Sequence, residues 1–179
     1  MSENSTLPRA ARERGVVGSP AARHVLALAR LSIGWIFLWA FLDKLLGLGF
    51  STPAEGAWIA GGSPTAGFLG HAVSGPLAGV FGSLAGAAWA DVLFMVGLGA
   101  IGAALMLGVG ERVAAGAGAL MLVLMWAAVL PPPNNPVVDD HIVMALVLVG
   151  LALTRSSETL GLGRWWGSTA LVRRFAFLR

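Results

Sequence analysis

The sequence predicts an all-α integral membrane protein, a four-helix bundle with an extracytoplasmic interfacial or re-entrant segment between spans one and two. Three observations carry that expectation. The 179 residues are 56% hydrophobic and 12% charged, with a mean hydropathy of +0.78, whereas soluble domains carry about 25% charged residues. The apolar residues gather into runs long enough to cross a hydrocarbon core about 30 Å thick at about 1.5 Å per residue. The arginines lie in or beside the N-terminal tail, the turn at 108–112 and the C-terminal tail. By the positive-inside rule that places both termini in the cytosol and requires an even number of crossings.

Residues 1–24 are polar, small and basic and read as a mobile cytosolic tail. The apolar run behind them meets Asp43-Lys44 rather than a small-x-small cleavage site, so it reads as a span and not a cleaved signal. Span one covers about 25–46. At about 100° per residue, Arg30, Gly34, Phe37, Phe41 and Lys44 share one face, and Trp35, Trp39 and Asp43 share another. Asp43 lies roughly 20 Å along the helix from Arg30, so an acid and a base end the span close to its far boundary.

The connection at 47–88 contains no Lys or Arg, one Glu (Glu55), one His (His71) and many small residues. Thr52-Pro53 followed by Glu55 resembles a capped helix start, and Gly61-Gly62-Ser63-Pro64 a break. The apolar Leu77–Ala88 stretch reads as interfacial or re-entrant, lying back on the bundle. Span two is expected at 89–108, span three at 113–130, stopped by Pro131-Pro132-Pro133, and span four at 137–154. Residues 155–179 are basic with interleaved Trp165, Trp166, Phe175 and Phe177, the pattern of an amphipathic segment on an anionic membrane surface. Charge placed beside apolar spans in this way excludes a nucleic-acid partner.

With no cysteine, the chain carries no disulfide, thiolate nucleophile or Cys-ligated iron–sulfur cluster. A bis-histidine haem is not expected either, because His24 falls on the cytosolic side and His71 and His141 on the other. No metal site is expected. The topology gathers the remaining ionisable groups at the extracytoplasmic ends of spans one, two and four: Asp43, Lys44, Asp91, Asp139, Asp140 and His141. Ionisable groups at membrane depth are expensive and by default functional. Asp43, Lys44, Asp91, Asp140 and His141 are therefore the candidate proton-handling residues, with Asp91 or Asp140 the expected partner of Lys44, the single lysine. The inner half of the bundle is expected to hold almost nothing polar beyond Arg30. The structural alternative is that Asp91, Asp139 and Asp140 serve as first-turn acids complementing helix dipoles, and the tryptophans as interfacial anchors.

Arg30-x-x-x-Gly34-x-x-Phe37 with Lys44 closing the span resembles the first helix of the DoxX family of four-helix membrane proteins, which includes the DoxD-type small subunit of thiosulfate:quinone oxidoreductase. The tracts at 34–50, 57–69 and 135–143 fit the same branch, and the likeness covers roughly 25–155. The resemblance implies a bacterial plasma-membrane subunit exchanging electrons with a quinone, and Arg30, Gly34 and Lys44 are its matching positions. Trp35, Trp39 and Trp89, with Arg30 and Gly34, are the candidate residues for holding the quinone.

An apolar slot for the tail and a few polar groups for the carbonyls are what a quinone needs. Thiosulfate is a poor fit, since one lysine faces Asp43, Glu55, Asp91, Asp139 and Asp140, a field that repels a dianion. The expected function is thus a quinone-linked oxidoreductase subunit with a quinone or lipophilic ligand site near the outer ends of spans one, two and four. The alternative is a non-catalytic anchor or assembly subunit of a larger respiratory or redox complex. A lipophile transporter ranks third, because no inverted repeat is visible. The expected partners are the bilayer and other subunits or a second copy.

Overall fold

The computed structural model describes residues 16–133 and 135–179, with the backbone alone at His71. The expected mobile tail lies, over residues 1–15, outside the described residues. Among the described residues the chain is all-helical and contains no strand. We number the helices α1 (Pro20–Leu46), α2 (Pro64–His71), α3 (Ala78–Gly82), α4 (Ala88–Leu107), α5 (Glu111–Ala128), α6 (Asp140–Thr154), α7 (Gly163–Ser168) and α8 (Ala170–Arg174).

Helix α1 begins earlier than expected because Ser19 and Pro20 make a strong start. The Ser19 hydroxyl accepts the amide of Ala22, and proline at the first helical position gives up no needed donor. Residues 20–24 therefore belong to the helix and not to the tail. Gly47 stops it in the left-handed conformation, φ 66°, its amide donating 2.8 Å to the carbonyl of Asp43. Helix α6 is capped by Asp139, the residue before it, whose carboxylate accepts the amides of His141 and Ile142.

Helices α1, α4 and α5 are long and apolar enough to cross a membrane, which makes the chain a multi-pass membrane protein. Helix α6 is apolar but has 15 residues. The four share one apolar core, with Phe37 of α1, Met95 and Leu105 of α4, Leu122 of α5 and Leu148 of α6 at its centre. Helix α1 lies along α4, and α5 along both α4 and α6. The α1–α4 approach is set by small residues. A Cβ on Gly34 would stand 2.9 Å from the Cβ of Leu105, and one on Gly102 would stand 2.6 Å from the backbone nitrogen of Leu38. Dispersion and close backbone approach hold helices together in lipid, where the hydrophobic effect contributes little between them.

One end of this core, the terminal end, carries the start of α1, the turn between α4 and α5, and everything after α6. The other, the loop end, carries residues 47–87 and 129–139. Residues 47–87 fold into short turns around α2 and α3, neither long enough to cross a membrane, with α2 packed on α4. The helix expected after Thr52 is instead two short 3-10 turns, Ala54–Gly56 and Trp58–Ala60, neither with a side-chain cap. Extended Ala57 separates the two and keeps them from joining into one helix. The C-terminal residues do not form a free amphipathic helix. They fold across the terminal end with Gly163 and Val172 buried, leaving Trp165 and Phe177 exposed.

Candidate functional site

Asp43 occupies the last turn of α1 and is 1% exposed. Its carboxylate accepts the amides of Phe50 (3.2 Å) and Ser51 (3.0 Å) and the Ser51 hydroxyl (2.7 Å). A chain that leaves a helix and turns back over its end has buried amides with no helical partner, and Asp43 supplies the acceptor. Lys44 is half-buried, and its ammonium donates to the Ser51 hydroxyl at 3.4 Å. Among the described residues no ion pair joins it to Asp91 or Asp140.

Asp91, in the first turn of α4, is 6% exposed. Its Oδ1 accepts the Ser63 hydroxyl (2.9 Å), the Thr65 amide (2.9 Å) and the Thr65 hydroxyl (2.6 Å). The Thr65 oxygen in turn accepts the amide of Gly86 at 3.2 Å. This network clips the start of α2 and the end of the 47–87 segment onto α4. Asp139, Asp140 and His141 form a third cluster, in which His141 Nδ1 stands 2.8 Å from Asp139 and 3.7 Å from the exposed Asp140. These three residues could hold a cation by proximity, but Asp139 is already engaged as the α6 cap. The structure thus distributes the loop-end acids over three separate local networks, each of which fastens backbone.

The terminal end is richer in polar contacts than expected, which corrects the reading of a greasy inner half. Arg30 is fully buried. Its Nη1 donates to the carbonyls of Leu105 and Met106, and Nη2 to those of Thr159 (3.4 Å) and Leu160 (2.8 Å). The last carbonyls of α4 are thereby accounted for one by one. Ala104 accepts from Gly108 and Val109, Leu105 and Met106 from Arg30, and Leu107 from the amide of Leu162. A cation at a helix C-terminus also complements its dipole. Arg30 therefore caps α4 and pins the C-terminal segment, and only its Nε remains unpaired.

Glu111, absent from the sequence-level candidates, opens α5 and is 3% exposed. It accepts the hydroxyls of Ser156 and Ser157 and the Ser157 amide at 3.1 Å. The available signal was its place directly after Gly110 in a two-glycine turn, facing a Ser-Ser pair after span four.

Gly34 is a contact residue between α1 and α4 rather than a ligand wall. Trp35 is 48% exposed and lies against Trp39 at a tilt (ring centroids 5.7 Å apart, planes 36° apart), and Trp39 meets Phe50 edge-on at 5.1 Å. These rings line a shallow outward-facing hollow. Trp89 stands elsewhere, on the wall of an apolar slot of about 350 Å³. The slot runs between α4 and α5 under the 47–87 segment: Leu93 and Gly97 line one side, Leu120 and Leu124 the other, Phe68 and Phe81 the loop-end side.

No family model, curated protein or solved structure matches the chain. The functional reading therefore rests on the slot and its rim. Thr65 lines the slot, but its hydroxyl is already engaged by Asp91 and Gly86. Among the described lining residues, the indole N–H of Trp89 is the side-chain donor left without a partner, and Trp89 is 61% exposed. The slot accordingly offers a long greasy wall with one donor at its mouth.

Proposed function

We propose that the protein is a DoxX-like four-span subunit of a quinone-linked redox complex in a bacterial plasma membrane, and that its own part is to hold a quinone or similar lipophile in the slot between α4 and α5. The observation that carries this reading is the slot. It is apolar, it lies between two membrane-crossing helices, and Trp89, whose indole N–H has no partner among the described residues, is part of its wall. In this reading the site lies between spans two and three, in place of the one expected at the outer ends of spans one, two and four. Asp91 does not line it, so binding and orientation, rather than proton transfer, are what this chain supplies.

Helix α6 serves as the fourth crossing in this reading. At 15 residues it rises about 22 Å, and exposed Val137 and Val138 extend the apolar stretch before it. Its exposed Val143, Leu146, Val149 and Leu153 form a lipid-facing stripe like that of α4. With four crossings the arginine-rich terminal end is cytosolic, and residues 47–87 lie outside as an interfacial cover.

Organic extraction of the protein purified in mild detergent, followed by mass spectrometry, tests the proposal. Quinone is expected in the wild type and reduced at least tenfold in Gly97→Leu, whose side chain enters the slot past the movable Met121 terminus. Trp35→Leu, on the outward face of α1, should retain it. Equal quinone in wild type and Gly97→Leu would remove the slot from consideration. A second reading, a non-catalytic anchor or assembly subunit, is favoured by the engagement of Asp43, Asp91 and Glu111 in holding backbone. A stable protein partner retained with no lipophile would decide for it.

A further inference from the structure

At the terminal end, away from the slot, lies a cleft of about 320 Å³ lined by Arg23 and Leu26 of α1, Thr154 of α6, Arg155 and Glu158 just after it, and Arg164 of α7. We propose that this cleft is a binding site for the phosphate of an anionic glycerophospholipid.

Charge comes first. Three guanidinium groups and one carboxylate line the same cleft. Glu158 is shared between Arg155 and Arg179, each at 3.8 Å, so neither pair is tight. Among the described residues, Arg23 and Arg164 have no ion-pair partner. Guanidinium forks match the oxygens of a phosphate and bind them in pairs. Three such forks from separate parts of the chain, with a net excess of two positive charges, make a recognisable anion cradle.

Placement decides between a lipid and a soluble anion. Arg23 lies in the first turns of α1, and Thr154 ends α6. The cleft is therefore level with the point where the apolar helices emerge, the level of lipid headgroups. One wall is apolar, made by Val16, Val17 and Leu26, which suits the glycerol and first methylenes of a lipid and does nothing for a free ion. The cleft is also held in shape. Arg155 adopts φ 54°, a conformation that residues other than glycine rarely take, as the C-terminal cap of α6. The adjoining Ser156 and Ser157 are fixed by Glu111. The backbone from which the Arg155 side chain springs is thereby fixed at the rim of the cleft.

The test uses the full chain in neutral detergent, with phosphatidylglycerol, phosphatidylcholine and inorganic phosphate as probes and native mass spectrometry to count bound molecules. Phosphatidylglycerol is expected to bind at least tenfold tighter than phosphatidylcholine, and to weaken about a hundredfold in Arg23→Gln/Arg164→Gln, on the order of tenfold per lost charge-assisted pair. Arg173→Gln/Arg174→Gln, which removes two charges outside the cleft, should bind as the wild type does. Glu158→Gln removes the opposing charge and should tighten binding, an outcome that a poorly folded variant cannot imitate. Equal losses in the two double variants would reduce the effect to diffuse surface charge and overturn the site. Inorganic phosphate binding as tightly as the lipid would overturn the lipid assignment. Neither result bears on quinone in the slot, which the Gly97→Leu comparison reads separately.

Discussion

Replacing Asp91 by alanine separates a structural carboxylate from a chemical one. In the structure one oxygen of Asp91 receives three donors from residues 63–65, at 2.6–2.9 Å. Hydrogen bonds to a charged acceptor contribute about 1.5–3 kcal/mol each, and donors left buried without a partner cost a comparable amount. The three share one acceptor and are not additive, so we expect a loss of about 3–4 kcal/mol, localised to the contact between α2 and α4. That corresponds to two to three orders of magnitude, roughly, in the opening equilibrium of the cover. Hydrogen exchange followed by mass spectrometry reads it directly. The amides of Thr65 and of Gly86, which is bonded through Thr65, should lose protection by about 100-fold or more, while Leu38 and Leu105 at the α1–α4 contact keep theirs. Asp91→Asn, which preserves an acceptor oxygen, should fall between. If protection at 63–71 is unchanged in Asp91→Ala while quinone-linked activity disappears, the carboxylate handles protons and the strut argument fails.

Further outcomes follow from the same contacts. Gly102→Leu should separate α1 from α4 and lower stability by about 3 kcal/mol or more, read by unfolding in a denaturing detergent; Gly79→Ala, with open space around its Cβ position, should be neutral. Glu111→Ala leaves the Ser157 amide and two hydroxyls without their acceptor, and trypsin should then cut at Arg164 and Arg173 at least tenfold faster. Asp43→Ala should release the amides of Phe50 and Ser51 to exchange. Lys44→Met, losing a single 3.4 Å contact, should stay within about 0.5 kcal/mol of the wild type; an effect as large as that of Asp43→Ala would show that the lysine has an essential partner.

The helices were legible because their signal is dense. The apolar runs of spans two, three and four end within about three residues of α4, α5 and α6, since glycine, proline and aspartate punctuate them. The wheel of α1 describes its first part, where Arg30, Gly34 and Phe37 are buried while Trp35 faces out. It does not describe the last turn, where Asp43, on the tryptophan face, is buried under residues 50–51 and Lys44, on the Arg30 face, is only half-buried. The partners were not legible. Depth along a helix says that Asp43 and Asp91 are buried but not whether a carboxylate will meet a lysine or a backbone amide. The answer lies in how residues 50–51 and 63–65 turn back over the helix ends, and glycine-rich loops carry no periodic pattern that fixes such a turn. Glu111 was missed for the same reason, because its partners are forty-five residues away in a turn of their own.

A buried acid in an apolar helix is read as functional because the alternative of an unpaired charge in lipid is too costly. That inference omits a third possibility, which this chain uses repeatedly. Its non-helical segments lie against the helix ends, and every amide they bury needs an acceptor that lipid cannot provide. A carboxylate in the first or last turn of a neighbouring helix can satisfy two or three donors at once, as Asp43, Asp91 and Glu111 do, and Arg30 does the converse for four carbonyls. Protonating a carboxylate so occupied would weaken the hydrogen bonds that hold the 47–87 segment or the C-terminal segment. On the reading proposed above, the places to look for ligands are those where polar groups are scarce but available, the Trp89 side of the slot and the arginine cleft, and the Asp91→Ala comparison decides whether the buried acids do more than hold backbone.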